Sequence, residues 1–498
     1  MKHSFLYAAL VCAALFFQAV PARAQESLEL SLRDAVLSAL EGNPSLRAQR
    51  YAAAASSTYE SEAFAEFVPT FEAGAQASRL TQNADTYETA EASAGISETL
   101  PTGTALSAAA TAGRNRAGAS ANSDPRVGLD LRLTQSLLKG GLNVNANLAR
   151  VRMARLDVFS SRYELKGYTE TLVYNVENAY WTYYLAQRQL EIYRESLRLS
   201  EENLANTRQR ISVGSLPEIE LAAAQAEVAQ RNEALITAEG DAETARLRLV
   251  QMVNPGRKNG NTAAGPGPAN FWDMPVILKD SPSQPDFSLD TVASHVELGL
   301  KLRPDLAQAR IALERGELEV ARTANGALPK LDVFIALGAT GYADSFGGAA
   351  GKLFDEGTRL TGGVNFTWPL GSVAERAQAK RAVFSRMQQE EAVRNMELTV
   401  ELDIRTAYVT VQKTRSRIAA SAETARLQQE NLRAETQKYN VGRSTSFAVA
   451  QAERNLLEAR LAEAQSVVDY LAAILALYKQ EGTLLERRGV ETAEAAAE

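Results

Sequence analysis

Few residues in this chain could carry chemistry. It has two histidines, His3 and His295, and one cysteine, Cys12. A structural zinc site needs about four closely spaced Cys, His or carboxylate ligands, and a His-centred acid–base site needs a positioned partner; neither pattern is present. His295 lies alone in a helical pattern, which points to a structural or an exposed role and not to metal ligation. Gly347-Gly348-Ala349-Ala350-Gly351-Lys352-Leu353 imitates a phosphate-binding loop. It lacks one residue between the outer glycines, and Leu353 stands where a hydroxyl would bind Mg²⁺. The expectation is a protein without catalytic, cofactor-binding or metal-binding residues, and so not an enzyme.

Such a chain must work by shape. It has 498 residues, a net charge of −7, 23% charged and 45% hydrophobic residues. That length allows more than one domain. The acidic balance argues against nucleic acid, because phosphates are neutralised by clustered Lys and Arg. Residues 1–24 read as a signal peptide: Lys2 and His3 open it, Phe5 to Val20 is apolar, and Ala22-Arg23-Ala24 makes a small-residue cleavage site before Gln25. The apolar run of ~16 residues is short for a membrane span, and Cys12 has no lipidation motif around it. No later stretch reaches about 18 consecutive apolar residues, so no spanning helix is expected. Barrel strands would escape that test, since their short alternating segments average out.

Two halves of the chain follow one plan. Asn43-Pro44-Ser45-Leu46 and Phe67-Val68-Pro69 correspond, at one offset, to Arg303-Pro304-Asp305-Leu306 and Ala327-Leu328-Pro329. At a second shared offset, Ala179-Tyr180 and Val213-Gly214 correspond to Ala407-Tyr408 and Val441-Gly442. Ordered landmarks of this kind mark an internal duplication. Leu165, Tyr168, Leu172, Val176, Ala179, Tyr183, Ala186, Leu190, Tyr193 and Leu197 recur at spacings of three and four, as do Val393, Met396, Val400, Ile404, Ala407 and Val411. This is a coiled-coil-like seam, though an ordinary bundle core fits the seam alone equally well. Leu142 to Ile211 predicts a helix of roughly 70 residues, ~105 Å long, while Ser31–Glu66 and Pro217–Met252 predict helices of about half that length. The second half repeats the ratio, with 372–440 against 290–326 and 445–483. Helices of this length suit the staves of a tall hollow cylinder.

Strand candidates lie between the helices. Val127, Leu129, Leu131 and Leu133 alternate with Gly128, Asp130, Arg132 and Thr134; 331–338 and 360–368 alternate likewise. One apolar and one polar face suits a barrel wall between lipid and water, with Leu129, Leu131, Val333 and Ile335 toward lipid. Tyr342, Phe346, Phe354 and Trp368 are candidates for aromatic girdles. Two hairpins would supply four strands. Bacterial single-chain barrels start at about eight, and open edges in lipid leave backbone groups unsatisfied, so several copies must share one barrel. The first strand region is the longer, with Leu100-Pro101-Thr102-Gly103-Thr104 between alternating runs at 92–99 and 104–113; the sequence leaves open whether this is an additional hairpin or a lengthened loop.

This duplicated plan, Leu131-Arg132-Leu133-Thr134-Gln135-Ser136-Leu137-Leu138 after the first strand region, and the paired Val-Gly turns resemble the TolC-like outer-membrane efflux proteins. The resemblance spans essentially the whole chain after the signal peptide. It implies an α+β membrane protein: a homotrimer whose β-barrel in the outer membrane is continuous with a long α-helical coiled-coil barrel in the periplasm, each chain built from two internal repeats. It implies passive conduction of substrates outward, with a periplasmic adaptor (membrane fusion) protein and an inner-membrane transporter as partners, as in tripartite efflux or type I secretion. Adaptor docking would fall at Val213, Gly214, Ser215, Val441, Gly442 and Arg443. The periplasmic aperture would involve Glu218, Glu220, Tyr439 and Gln451; the family often carries Asp where this chain has Ala448 and Gln451, so an acidic ring could come only from the first turn. The implied domains are 1–24 signal peptide, 25–253 first repeat, 254–286 linker, 287–486 second repeat and 487–498 tail. A periplasmic coiled-coil adaptor or a trimeric surface fibre would share the seam. Duplicated strand pairs speak against the first, and paired half-length helices against the second.

Overall fold

The computed structural model describes residues 28–82, 85–117, 125–253, 271–282, 289–355 and 357–490. The proposed signal peptide lies outside them. In chain order they form β1 (Leu28–Leu30), α1 (Leu32–Gly42), α2 (Pro44–Ser56), α3 (Tyr59–Phe64), β2 (Thr70–Gln82), β3 (Asp85–Thr99), β4 (Thr104–Ala117) and β5 (Arg126–Ser136). Then come α4 (Val144–Asn147), α5 (Ala149–Ser212), α6 (Ile219–Val253), β6 (Val276–Leu278), α7 (Val292–Leu302) and α8 (Pro304–Gly326). The chain continues with β7 (Lys330–Tyr342), α9 (Phe346–Gly351), β8 (Thr358–Thr367), α10 (Val373–Asn440), α11 (Ser446–Glu481) and α12 (Leu484–Arg487). They fall into two compact units: one holds the described residues through 46, 169–295 and from 404 onward, the other 47–168 and 296–403.

The first unit is helical, with one small strand pair. Helices α5 and α10 run for 64 and 68 residues, against 35 and 36 for α6 and α11. In α5 the seam residues Leu172, Val176, Tyr183 and Ala186 are buried, as are Ile404 and Val411 in α10. Two tyrosines of α5 reach off the seam: the Tyr180 hydroxyl donates to the Leu30 carbonyl (3.1 Å) and Tyr183 to that of Val276 (3.2 Å). These carbonyls belong to β1 and β6, which pair in parallel. β6 falls inside the segment expected to be linker, so that linker is partly ordered. Among the described residues α11 is the one helix long and apolar enough to cross a membrane. Its Val468, Tyr470, Ile474 and Leu477 are buried in this unit, and helix packing accounts for its apolarity.

The expected short helices 31–66 and 290–326 are not continuous. Both break before a proline. Asn43 and Arg303 take extended backbone, ψ 119° and 122°. The Pro ring excludes the helical conformation from the residue before it, and it has no N–H for the preceding turn. Ser31 starts α1 through a capping box with Asp34.

The second unit carries one antiparallel sheet of six strands, ordered β2-β3-β4-β5-β7-β8. The expectation of four strands is therefore corrected. The undecided region folds as the hairpin β3–β4, turned by Leu100 to Gly103, with Gly103 at φ +77°. Its alternation is carried by Ala, Ser, Thr and Gly, which differ little in hydropathy. Register settles the faces. Leu129 opposes Ala339 and Ala110, Leu131 opposes Leu337 and Ala108, and Leu133 opposes Ile335 and Leu106, so these side chains share one face with Val333, Leu360 and Val364. The opposite face carries Glu91, Asn115, Asp130, Arg132, Thr361 and Asn365. Apolar side chains on the first face stay in the open: Ile335 is 55% exposed, Leu360 75% and Val364 66%. Exposed aromatics mark both ends of the sheet, Trp368 where β8 leads to α10, and Tyr342, Phe346 and Phe354 at the opposite end.

Candidate functional site at the helix turns

Two helix reversals share one backbone geometry. After α5, Gly214 adopts φ +74°, its N–H reaches the Ile211 carbonyl (2.9 Å), and the Ser215 N–H reaches that of Arg210 (2.8 Å). After α10, Gly442 adopts φ +75°, its N–H reaches Tyr439 (3.1 Å), and the Arg443 N–H reaches Lys438 (2.8 Å). This is the Schellman cap, in which a left-handed residue lets two N–H groups satisfy carbonyls the helix leaves open. A Cβ built on either glycine would meet nothing within 4 Å, so backbone conformation and not crowding requires glycine. Val213 and Val441 stand just before the glycines, 72% and 71% exposed. Apolar side chains at matched, uncrowded turn tips are available to a partner.

Behind the tips, polar contacts join the two helix pairs. Glu220, in the first turn of α6, accepts a hydrogen bond from the Ser446 hydroxyl at the start of α11. The Arg210 guanidinium lies 4.8 Å from the centre of the Tyr439 ring and donates to Asn440 (2.9 Å). The structure thus brings Glu220 and Tyr439 each into a link across the pairs, through different partners. Glu218 is exposed beside Glu220. Gln451 donates to Asn455 and accepts from Arg454, and so belongs to a second layer of contacts. In that layer Arg454 donates to Glu227 (2.9 Å), Arg231 pairs with Glu227, and Asn203 donates to Glu453. Burial pushes the Glu453 carboxyl up, with the Asn203 bond opposing it. At the tip, Lys438 and then the Ser444 hydroxyl hold Glu435 below the usual carboxylate range. Ser446, Arg210 and Glu435 were not singled out from sequence. Thr445-Ser446 after a glycine turn is a helix-start signal, and Thr445 does cap α11 by accepting from the Ala448 N–H (3.2 Å).

The other chemistry-bearing residues are occupied structurally. His295 is 2% exposed, its Nδ1 lies 2.5 Å from Glu481 Oε1, and no group of ligating side chains able to hold a metal occurs among the described residues. Residues 346–351 form the six-residue α9 between β7 and β8, capped by the Ser345 hydroxyl.

Known proteins are similar to this chain in sequence and in fold. Residues 105–255 and 296–483 match the family model for outer membrane efflux proteins. The chain is 23% identical over 375 residues to the outer membrane efflux protein BepC of Brucella suis, covering 74% of each. It is 26% identical over 329 residues to the outer membrane protein TolC of Escherichia coli, covering 64% of this chain and 61% of TolC. The CmeC outer membrane channel of Campylobacter jejuni has the same fold, with a TM-score of 0.65 over 91% of this chain and 86% of CmeC at 17% identity. Matched over both of its strand-and-long-helix halves, the chain belongs to the outer membrane efflux protein family.

Proposed function

We propose that three copies of this chain form an exit duct: a β-barrel in the outer membrane and a coiled-coil barrel of the long helices in the periplasm. A periplasmic adaptor and an inner-membrane transporter deliver cargo to it and supply the energy. The sheet is the observation that carries this reading. It has one apolar and one polar face, its two outer edges are unpaired among the described residues, and a six-stranded sheet is too small to close alone. The helices add support, since Phe384, Leu398, Leu402 and Val409 leave apolar surface of α10 uncovered within one chain. A second copy would cover it.

The adaptor docks, on this reading, at Val213-Gly214-Ser215 and Val441-Gly442-Arg443. A β-branched residue at φ near +75° costs on the order of 1–3 kcal/mol of local strain and distorts the tip. Gly442→Val and Gly214→Val should reach the outer membrane at parental abundance and lose export. Normal export by Gly442→Val at parental abundance would remove the turns from the docking surface.

Around the axis, three copies of Glu220 would set a ring of carboxylates, with Glu218 nearby and no added charge from Ala448 or Gln451. Such a ring concentrates cations and weakens with salt, over a Debye length of about 8 Å at physiological ionic strength. The purified oligomer in planar bilayers should conduct and prefer cations, and Glu220→Gln should shift its reversal potential toward zero. No conductance at all would sink the duct. An unchanged cation preference in Glu220→Gln would leave this side chain as a helix-start residue held by Ser446.

A further inference from the structure

The hairpin β3–β4 stands inside the sheet, between β2 and β5, not beside it. Its strands run 15 and 14 residues, longer than the roughly 9–11 residues that a tilted strand needs to span a bilayer. Register carries the apolar face across it without a gap. Ala75 opposes Ala92, Ala92 opposes Ala112, and Ala112 opposes Val127; one step on, Ala73, Ala94, Ala110 and Leu129 align in the same way. The reverse face of the same strands carries Ser93, Glu91, Thr111 and Asn115. Charge appears on the apolar face only toward the strand ends, at Arg79, Glu88, Glu98, Arg114 and Arg116, so the apolar part is a band across the middle of the strands. A loop folded over a barrel mouth has no need for an apolar band continuous with its neighbours. A strand between lipid and water does.

Six is also an even number, so strand directions alternate from β2 to β8 and the two outer edges run in opposite directions. The β8 edge of one copy meets the β2 edge of the next as an antiparallel pair, which satisfies backbone groups that lipid cannot. We propose that the β3–β4 hairpin is part of the barrel wall, so that each copy supplies six strands and β8 of one copy pairs with β2 of the next. This rests on the oligomeric-barrel reading above. Three copies would then close eighteen strands, a size at which barrels hold an open aqueous channel and not a core of packed side chains. The barrel is then no sieve. Selection falls to the helix turns, and the mouth admits bulky polar cargo.

Single cysteines in a Cys12→Ser background test this, because the chain has no other cysteine. Ser93→Cys and Thr111→Cys should react with a membrane-impermeant maleimide in the native outer membrane. Ala94→Cys and Ala110→Cys, their neighbours on the apolar face, should lose that labelling. Oxidising a double variant with one cysteine on the β2 edge (Gly74, Ala75 or Gln76) and one on the β8 edge (Thr361, Gly362 or Gly363) should give a ladder of cross-linked copies. A ladder with all four hairpin positions labelled alike would overturn the six-strand wall and leave the shared barrel standing. Absence of a ladder from every edge pair would remove the shared barrel itself, and this inference with it.

Discussion

Leu131→Arg should abolish assembly in the outer membrane, while Ala109→Arg, one residue along β4 from its cross-strand partner Ala108, should not. Leu131 lies on the apolar face, 41% exposed in the single chain, between Ala108 and Leu337. An arginine there would project from the middle of an apolar band into lipid. The cost for Arg or Lys at the midplane of a barrel wall is about 2–4 kcal/mol per site, and every copy in the ring bears it. Ala109 points the other way and opposes Asp130 on the polar face. A guanidinium at that position gains a carboxylate partner and stays in water. The measurement is the yield of heat-modifiable oligomer in the outer-membrane fraction. Parental yield from Leu131→Arg, or equal loss from both variants, would mean that the apolar face does not meet lipid.

The second large effect is expected where the chain ends its described course. Arg488 donates two bonds of 2.6 Å to the two carboxylate oxygens of Glu177, which is 1% exposed. Nearby, Arg487 packs on the Tyr478 ring, 4.1 Å from its centre, and reaches Glu481, itself fully buried. Arg487 and Arg488 were expected to open the solvated tail; instead they pin α12 to the helices. Burial pushes the Glu177 carboxyl up, and the Arg488 fork opposes that shift. Removing the fork strands a buried charge, which typically costs about 3–5 kcal/mol. Arg488→Ala should therefore be strongly destabilised in urea unfolding followed through helical signal, and Glu177→Leu combined with Arg488→Met should recover most of the loss. A buried carboxyl whose folded pKa is raised binds its proton more readily folded than unfolded, so its destabilisation is fully present above the raised pKa. The deficit of Arg488→Ala should thus shrink as pH falls through that value. A variant within about 0.5 kcal/mol of the parent would show that the pair contributes no more than an ordinary surface contact.

Legibility differed from element to element for physical reasons. The long helices were readable because a seam recurring every three or four residues over tens of positions has no other stable reading. Gly214 and Gly442 were readable because a left-handed helix cap restricts residue type so strongly. Ser446 was not tied to Glu220 beforehand, since the two lie 226 residues apart and nothing local relates them. Arg210 over Tyr439 was missed for the same reason, as was the fork between Arg488 and Glu177.

By itself the sequence determined the repeated plan of short helices, strands and long helix, the approximate lengths of α5 and α10, the two glycine-capped reversals, and the apolar face of β5, β7 and β8. Each follows from short-range constraints: helix period, strand alternation, and the conformations open to Gly and Pro. The tertiary structure alone decided that 85–117 enters the sheet. Alanine, serine and threonine alternate too weakly in hydropathy to declare a face, and only pairing with Phe71–Ala77 on one side and Val127–Leu133 on the other assigns them one. It alone decided the ordered strand at Val276–Leu278 and the anchoring of Arg488. Those features depend on partners far away in the chain, and a partner's position is a property of the folded molecule.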